Sequence, residues 1–133
     1  MKFSTKASYG LRAMVDLAKK QGKEPYSLAK IAEDEKISLA YLERLFAKLK
    51  RAGLIISTKG VKGGYRLAKP ASKISIREIF LALEGNLSPY NCLDLTNACK
   101  LSGCDCSAKK VWQLLECEIN KTLESIKLSQ LTK

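Results

Sequence analysis

The feature that most constrains the fold is the segment from residue 37 to 68, where a helical pattern runs directly into a glycine-rich hairpin. Ser38 is a good helix N-cap, and Gly53 is a typical helix stop. Between them an apolar stripe follows the i, i+3, i+4, i+7 pattern of one buried helix face, formed by Leu42, Leu45, Phe46 and Leu49. The β-prone runs LIIST and YRLA then bracket KGVKGG, whose glycines and lysines predict a flexible, positively charged hairpin tip.

The flanking segments extend this pattern on both sides. A first helix is predicted from Thr5 to Lys20, and a second, short helix begins after the N-cap Ser27 and ends near Lys36. A short helix, a tight connection, a second helix and a basic hairpin are typical of a winged helix-turn-helix. Further on, SIREIFLALEG contains an S-x-x-E capping box and a terminal glycine. The sequence therefore predicts a mainly α fold with a small β-hairpin wing.

The last part of the chain predicts one long helix. Ser107 is its expected cap, and the helix is predicted to run from about 108 to 127. It carries a continuous apolar stripe of Val111, Leu115, Ile119, Leu123 and Ile126, with Leu114 beside them. We expect the stripe to pack against the first helix and against the same helix of a second copy, which gives a homodimer. The resulting organisation is 1–85 for DNA binding, 86–107 as a cysteine-rich loop, and 108–133 for dimerisation.

The distribution of charge favours a polyanion as partner. The chain has a net charge of +11, and the excess lies entirely in residues 1–80, which hold 18 Lys/Arg against 7 Asp/Glu. A field of one sign confined to one part of a small protein favours double-stranded DNA first and an anionic membrane surface second. No apolar run has the length of a signal peptide or a transmembrane span, so a cytoplasmic protein is expected.

Cysteines are the second source of chemistry. Four of the five cysteines lie in CLDLTNACKLSGCDC, residues 92–106, at the spacing C-x6-C-x4-C-x-C, and the chain contains no histidine. In a reducing compartment such thiols favour metal ligation or redox chemistry over disulfides. Thiolates at irregular spacing suit an iron–sulfur cluster, whereas structural zinc sites usually show C-x2-C pairs. Zinc stays an alternative. Cys117, within the long helix, is interpreted as a small buried hydrophobe, and Trp112 as a core aromatic.

Three segments together resemble a known family. FSTKASYGLRAMVDLA, SLAYLERLFAKLKRAGLI and GVKGGYRLAK are similar to the winged-helix repressors that include the iron–sulfur cluster regulator IscR and the nitric-oxide-sensing and cysteine-metabolism repressors. The resemblance covers nearly the whole chain. It implies a homodimeric regulator that places a recognition helix in the major groove and a wing in an adjacent minor groove.

DNA-contacting residues can be assigned on this basis. Residues at the start and on the polar side of the recognition helix are expected to meet bases or backbone, and wing lysines to enter or flank the minor groove: Ser38, Ala40, Tyr41, Arg44, Lys48, Lys59 and Lys62. The family commonly has arginine where this chain has Lys59, and lysine lacks its planar fork. The resemblance implies that Glu43 discriminates between operator classes by repulsion. The alternative is a solvated surface glutamate paired with a lysine four residues away.

The cysteine loop departs from the family pattern. Regulators of the IscR type use three loop cysteines and a histidine to hold a [2Fe–2S] cluster, and Lys109 occupies the place of that histidine. A fourth thiol is present instead, so we expect ligation by four cysteines, Cys92, Cys99, Cys104 and Cys106. An all-thiolate site is more negative and predicts a lower reduction potential. A [4Fe–4S] cluster is the first alternative, and a zinc site or a cluster-free thiol sensor is the second.

The function expected from these observations is a cluster-sensing transcription regulator, a repressor of iron–sulfur cluster biogenesis genes, and not an enzyme. The alternative within the family is a cluster-free repressor that senses thiol redox state, cysteine metabolism or nitric oxide. An electron-carrying iron–sulfur protein is the rival from another class. It would show no salt-dependent binding to duplex DNA, and the basic first 80 residues count against it.

Overall fold

The structure, a computed structural model, describes residues 3–22, 24–61, 63–89 and 107–132. Its α-helices are α1 (Thr5–Lys20), α2 (Leu28–Glu35), α3 (Leu39–Arg51), α4 (Ile76–Glu84) and α5 (Lys109–Ser125), and two strands, β1 (Ile55–Thr58) and β2 (Gly64–Leu67), follow α3. The mainly helical fold with a two-stranded wing is confirmed. The four cysteines at 92, 99, 104 and 106, and Lys62, lie outside the described residues.

Local signals in the sequence account for most helix ends. The Ser38 side chain accepts a hydrogen bond from the Tyr41 amide, so it caps α3 as predicted. Ser75 and Glu78 form the reciprocal capping box of α4, and Gly85 ends that helix in the left-handed region at φ 81°. Helix α2 ends differently, because its left-handed cap is Lys36, a residue without the conformational freedom of glycine.

One core joins α1–α4 to the wing. The apolar stripe of α3 is buried in full, and it packs with Met14 and Leu17 of α1 and with Ile31 of α2. Ile79 and Leu83 bring α4 onto the same cluster. The helix-turn-helix pair and the wing therefore share a single hydrophobic core, which fixes their relative positions.

The wing is an antiparallel hairpin in which Ile55 pairs with Leu67 and Thr58 pairs with Gly64. Its second strand has a further neighbour, since Tyr26 forms an isolated antiparallel bridge with Tyr65. Arg12 of α1 donates to the carbonyl of Glu35 at 2.7 Å and so ties α1 to the end of α2.

The end of the chain returns to the winged-helix core. The Ile76 amide donates to the carbonyl of Ile126 at 2.9 Å, and the Leu128 amide donates to the carbonyl of Ile74 at 2.8 Å. Leu128 is fully buried in the common core, within a short 3-10 helix Leu128–Leu131. The prediction that the last helix continues to residue 127 is therefore wrong. It ends at Ser125, because the following residues pair with the start of α4.

Helix α5 also begins and packs differently from the prediction. Its N-cap is Ala108, without a side-chain cap bond, and Ser107 contributes only a backbone carbonyl. Its main neighbour is α4 and not α1. Arg77 of α4 donates to Asn120 at 2.9 Å, and the Ser75 hydroxyl donates to Glu124 at 3.3 Å. These bonds hold α5 against the outer side of α4.

Candidate nucleic-acid interface

The outer face of α3 is formed by residues three and four positions apart on the side opposite the buried stripe. These are Ala40, Glu43, Arg44, Ala47 and Arg51, and all five are exposed. Arg44 and Arg51 take part in no ion pair with any residue that the structure describes. Two small alanine side chains on this face leave room for the helix backbone to approach a groove, and the arginines supply donors for base edges or phosphates.

Two predicted contact residues lie at the flank of this face. The Tyr41 ring packs edge-on against Tyr9 of α1, with centroids 6.0 Å apart, and its hydroxyl lies 3.4 Å from Thr5 Oγ1. Lys48 is partly buried and lines a cleft with Arg51 and Glu84 at the end of α4. The structure thus brings Ala40, Glu43 and Arg44 together, while Tyr41 and Lys48 face α1 and α4.

Glu43 points toward the wing. It lines a cleft of about 440 Å³ between α3, the start of α2 and the hairpin, together with Leu39 and Lys59. The alternative in which Glu43 pairs with a lysine four residues away is wrong. The residues four positions away are Leu39 and Ala47, and no described residue forms an ion pair or hydrogen bond with the Glu43 carboxylate.

The wing tip is shaped by its glycines. Gly60 has φ 113°, which favours glycine, and a Cβ added at Gly63 would lie 2.3 Å from the carbonyl oxygen of Thr58. Val61 is fully exposed at the tip and Lys59 is exposed beside it. A narrow tip with an exposed lysine fits a minor groove, where cations meet enhanced negative potential.

Sequence reasoning missed two members of this interface. Arg51 lies seven positions after Arg44, so the same helical period that identified the stripe could have placed it on the outer face. Leu39, at the first turn of α3, keeps 42% of its surface exposed next to the cleft. An apolar side chain in that place is suited to contact with a thymine methyl group.

The flanks of the cysteine segment are described, although the four predicted ligands are not. The Ser88 hydroxyl, after α4, donates to Glu116 of α5 at 3.0 Å, so the two flanks are joined directly. Cys117 is exposed, and its interpretation as a buried hydrophobe is therefore wrong in the single chain. Trp112 is half-buried. Among the described residues no group of three or more potential ligands is placed to hold a metal ion.

Helix α5 presents an apolar surface beside these flanks. Val111, Leu114 and Leu115 keep 54%, 58% and 43% of their surface exposed. Toward the other end of the helix, Ile119 and Leu123 line an apolar cleft of about 300 Å³ together with Phe3. No helix in the described ranges combines the length and apolar character needed to cross a membrane.

Comparison with known proteins agrees with this architecture. A model of the Rrf2 family, described as iron-dependent transcriptional regulators, matches residues 3–133. The HTH-type transcriptional regulator IscR of Vibrio atlanticus is 38% identical over 133 residues, 100% of this chain and 76% of the relative. CymR, the global cysteine regulator of B. subtilis, superimposes with TM-score 0.81 at 35% identity, covering 99% of this chain and 96% of the other. IscR of T. potens gives TM-score 0.75 at 39% identity, covering 97% and 84%.

Proposed function

Because the chain belongs to the Rrf2 family of transcriptional regulators, which are not enzymes, we propose that it is a cluster-sensing repressor of iron–sulfur cluster biogenesis genes. The observation that carries the proposal is the gathering of four thiols within residues 92–106, between α4, which packs on the recognition helix, and α5. The cysteine segment is therefore adjacent in sequence both to the winged-helix part and to α5, whose apolar face is exposed.

DNA reading is assigned to α3 and the wing. In the proposal Ala40 and Arg44 meet base edges, and Ser38 lies at the helix end that approaches the backbone. Lys59 and Lys62 act at the minor groove. Tyr41 and Lys48 contact the phosphate backbone at the flank, or support α3 through α1 and α4. Glu43 faces the cleft between the recognition helix and the wing, so its carboxylate disfavours any operator that brings a phosphate or an acceptor-rich base edge there.

A homodimer is proposed through α5. Three large apolar side chains on one helix of a small protein, with more than two fifths of their surfaces exposed, favour burial against another chain. A second copy offers a self-complementary partner because a two-fold interface uses the same patch twice. Two recognition helices would then meet successive turns of one DNA face.

The donor set fits an iron–sulfur cluster. Cys92, Cys99, Cys104 and Cys106 supply four soft thiolates, the ligands that [2Fe–2S] and [4Fe–4S] clusters use in proteins. When bound, the cluster would supply a group whose presence and redox state respond to iron and oxidants. We assign a [2Fe–2S] cluster with all four cysteines as ligands, and [4Fe–4S] is the alternative.

The route from loop to DNA is proposed to use both flanks. The Ser88–Glu116 hydrogen bond joins the start of the cysteine-rich loop to α5, and α4 lies against α3. A change in loop conformation would thus bias the relation between α4 and α5, and with it the placement of the recognition helix. This hypothesis requires two arrangements of those helices with different affinity for DNA.

A second candidate function has a specific observation in its favour. CymR of B. subtilis, described as a global cysteine regulator, superimposes more closely than IscR of T. potens, with TM-scores of 0.81 and 0.75. In this alternative the chain is a cluster-free repressor that responds to thiol oxidation or cysteine metabolism. The cysteines of the loop would then be redox-active thiols rather than ligands.

Anaerobic reconstitution with iron and sulfide separates the two candidates. The proposal expects a brown protein with visible charge-transfer absorption, and loss of that absorption in Cys→Ala variants at 92, 99, 104 and 106. Cys117→Ala, which removes an exposed thiol from α5, is the matched control and should keep the cluster. A colourless protein that holds zinc tightly would contradict the proposal. A normal cluster in Cys104→Ala would contradict ligation by four thiolates.

A further inference from the structure

The segment before α2 is attached to the wing through its backbone. The Tyr26 amide donates to the carbonyl of Tyr65 at 2.9 Å, and the Tyr65 amide donates to the carbonyl of Tyr26 at 2.8 Å. A Cβ added at Gly64 would lie 2.3 Å from the carbonyl oxygen of Tyr26, so the two backbones are in close contact. Tyr26 thus acts as a one-residue third strand along the free edge of β2.

The side chain of Tyr26 is attached to two helices. Its hydroxyl donates to Asp34 of α2 at 3.1 Å and accepts from the Lys20 ammonium of α1 at 3.3 Å. Lys20 also donates to Asp34 at 3.2 Å, and its nitrogen lies 5.2 Å from the centre of the Tyr26 ring. One small cluster therefore connects the C-terminal ends of α1 and α2 with the edge of the wing.

The charges of the cluster keep Lys20 in place. Lys20 also faces Asp16, at 3.6 Å, and Asp16 is buried with one carboxylate oxygen that has no hydrogen-bond partner among the described residues. The hydrogen bond to Tyr26, followed by that to Asp34, raises the pKa of Lys20 above its ordinary value. The hydrogen bond from Lys20 correspondingly lowers the pKa of Asp34. Both groups stay ionised at neutral pH, and the ammonium is engaged by protein groups.

The opposite side of the wing is held by the recognition helix. The Tyr65 ring packs edge-on against Phe46 of α3, with centroids 5.1 Å apart. Tyr65 is thus fixed between α3 and Tyr26. This inference rests on the proposed function, in which α3 and the wing reach neighbouring grooves together, so that the distance between them determines how well both fit DNA.

We propose that Lys20, Tyr26 and Asp34 are positioning residues that hold the wing at the spacing required for DNA binding. This positioning role does not depend on cluster binding. An experiment that contradicts it therefore leaves the cluster-sensing proposal untouched, and the reverse also holds. A purely electrostatic effect and a positioning role predict opposite changes in DNA affinity when Asp34 is substituted. Removing the negative charge of Asp34 should strengthen binding to a polyanion if charge alone matters, and should weaken it if Asp34 positions the wing.

The test compares Asp34→Ala with Glu33→Ala in the full chain. Both variants remove one exposed carboxylate from α2, but no hydrogen bond or ion pair joins the side chain of Glu33 to any described residue. The probe is a duplex selected by the wild-type protein from a randomised pool, titrated at fixed salt. Asp34→Ala should bind about fivefold more weakly than wild type, whereas Glu33→Ala should bind equally or more tightly.

Amide hydrogen exchange gives a readout that a general loss of stability would not reproduce. In Asp34→Ala the amides of Tyr26 and Tyr65 should exchange faster, while those of α4 stay as in wild type. Tyr26→Phe removes only the hydroxyl, so it should shift affinity and exchange in the same direction even where Asp34→Ala folds poorly. Binding by Asp34→Ala that equals or exceeds that of Glu33→Ala overturns the proposal. Weaker binding with unchanged exchange at Tyr26 and Tyr65 overturns it as well.

Discussion

The recognition helix α3 and the C-terminal helix α5 carry apolar stripes of the same period, yet only the stripe of α3 is fully covered. Leu42, Leu45, Phe46 and Leu49 of α3 are at most 2% exposed, whereas no residue of α5 is fully buried. Helix α3 lies among α1, α2, α4 and the wing, and α5 has α4 as its main neighbour. The same sequence pattern thus marks a core within one chain in the first case and an open surface in the second.

This difference indicates where the single chain is incomplete. The winged-helix part has its own core, and it even includes Leu128 from the end of the chain. Val111, Leu114 and Leu115 have no comparable cover from described residues. Burial of such a patch is worth roughly 25 cal/mol per Å² of apolar surface, which favours association with a second chain. We therefore expect substitutions in the winged-helix core to change the free energy of unfolding, and substitutions on the exposed face of α5 to change association between chains. The two kinds of effect should also differ in magnitude.

The largest effect is expected from Val111→Glu. A charge placed in the proposed dimer interface would be buried without a partner in both copies, so dimerisation should weaken by more than about tenfold. Binding to a two-half-site duplex should fall with it. Sedimentation velocity over a range of protein concentrations measures the change.

Gln113→Glu is the matched control for that variant, because it adds the same charge at an exposed position of α5. It should leave the dimer intact. Equal sedimentation of Val111→Glu and wild type at all concentrations would show that the apolar face of α5 is not the dimer interface.

A smaller effect, on stability, is expected from Leu128→Ala. Leu128 is fully buried in the winged-helix core, so its truncation should lower the free energy of unfolding by about 2–5 kcal/mol. Leu131→Ala, in the same 3-10 helix but with 37% of its surface exposed, should cost much less. Urea unfolding at one fixed protein concentration compares them. Similar losses for the two variants would contradict the assignment of the chain end to the core.

The smallest effect concerns the pH dependence of α4. Burial alone would raise the pKa of Glu78, but the hydrogen bonds from Lys69 and Ser75 outweigh it and lower that pKa below its ordinary value of 4.5. The ionised carboxylate therefore stabilises the fold above about pH 4.5, and this contribution is lost as the pH falls through the lowered pKa.

Glu78→Gln should accordingly reduce stability by less than about 1 kcal/mol at neutral pH, because glutamine keeps part of the capping box. The difference from wild type should shrink as the pH falls below 4.5. Thermal unfolding at several pH values measures it, with Glu33→Gln as a control for loss of a surface charge. A difference that grows in acid would contradict the assigned role of the carboxylate.

Local signals predicted the fold well. The bounds of α1, the Ser38 cap of α3 and the capping box of α4 all depend on residues within a few positions of one another. The errors at α5 have the opposite origin. Its end at Ser125 is determined by pairing of residues 126–128 with 74–76, about fifty positions away, and helical periodicity contains no information about such pairing.

The candidate site was predicted in part for the same reason. The helical period placed Arg44 on the outer face, but it could not show that Tyr41 packs on Tyr9 or that Lys48 lies beside Glu84. The contact between Tyr26 and Tyr65 was also missed, because a single bridging residue has no strand pattern. The cysteine ligands stay a prediction, since residues 90–106 lie outside the described ranges.

The central claim is that the state of the cysteine segment controls DNA binding by the winged-helix part. The most direct measurement titrates one duplex, selected from a randomised pool, with anaerobically reconstituted protein and with cluster-free protein at the same salt concentration. Coupling of typical size predicts affinities that differ by about 5- to 150-fold. Equal affinities for the cluster-loaded and cluster-free protein would contradict the claim.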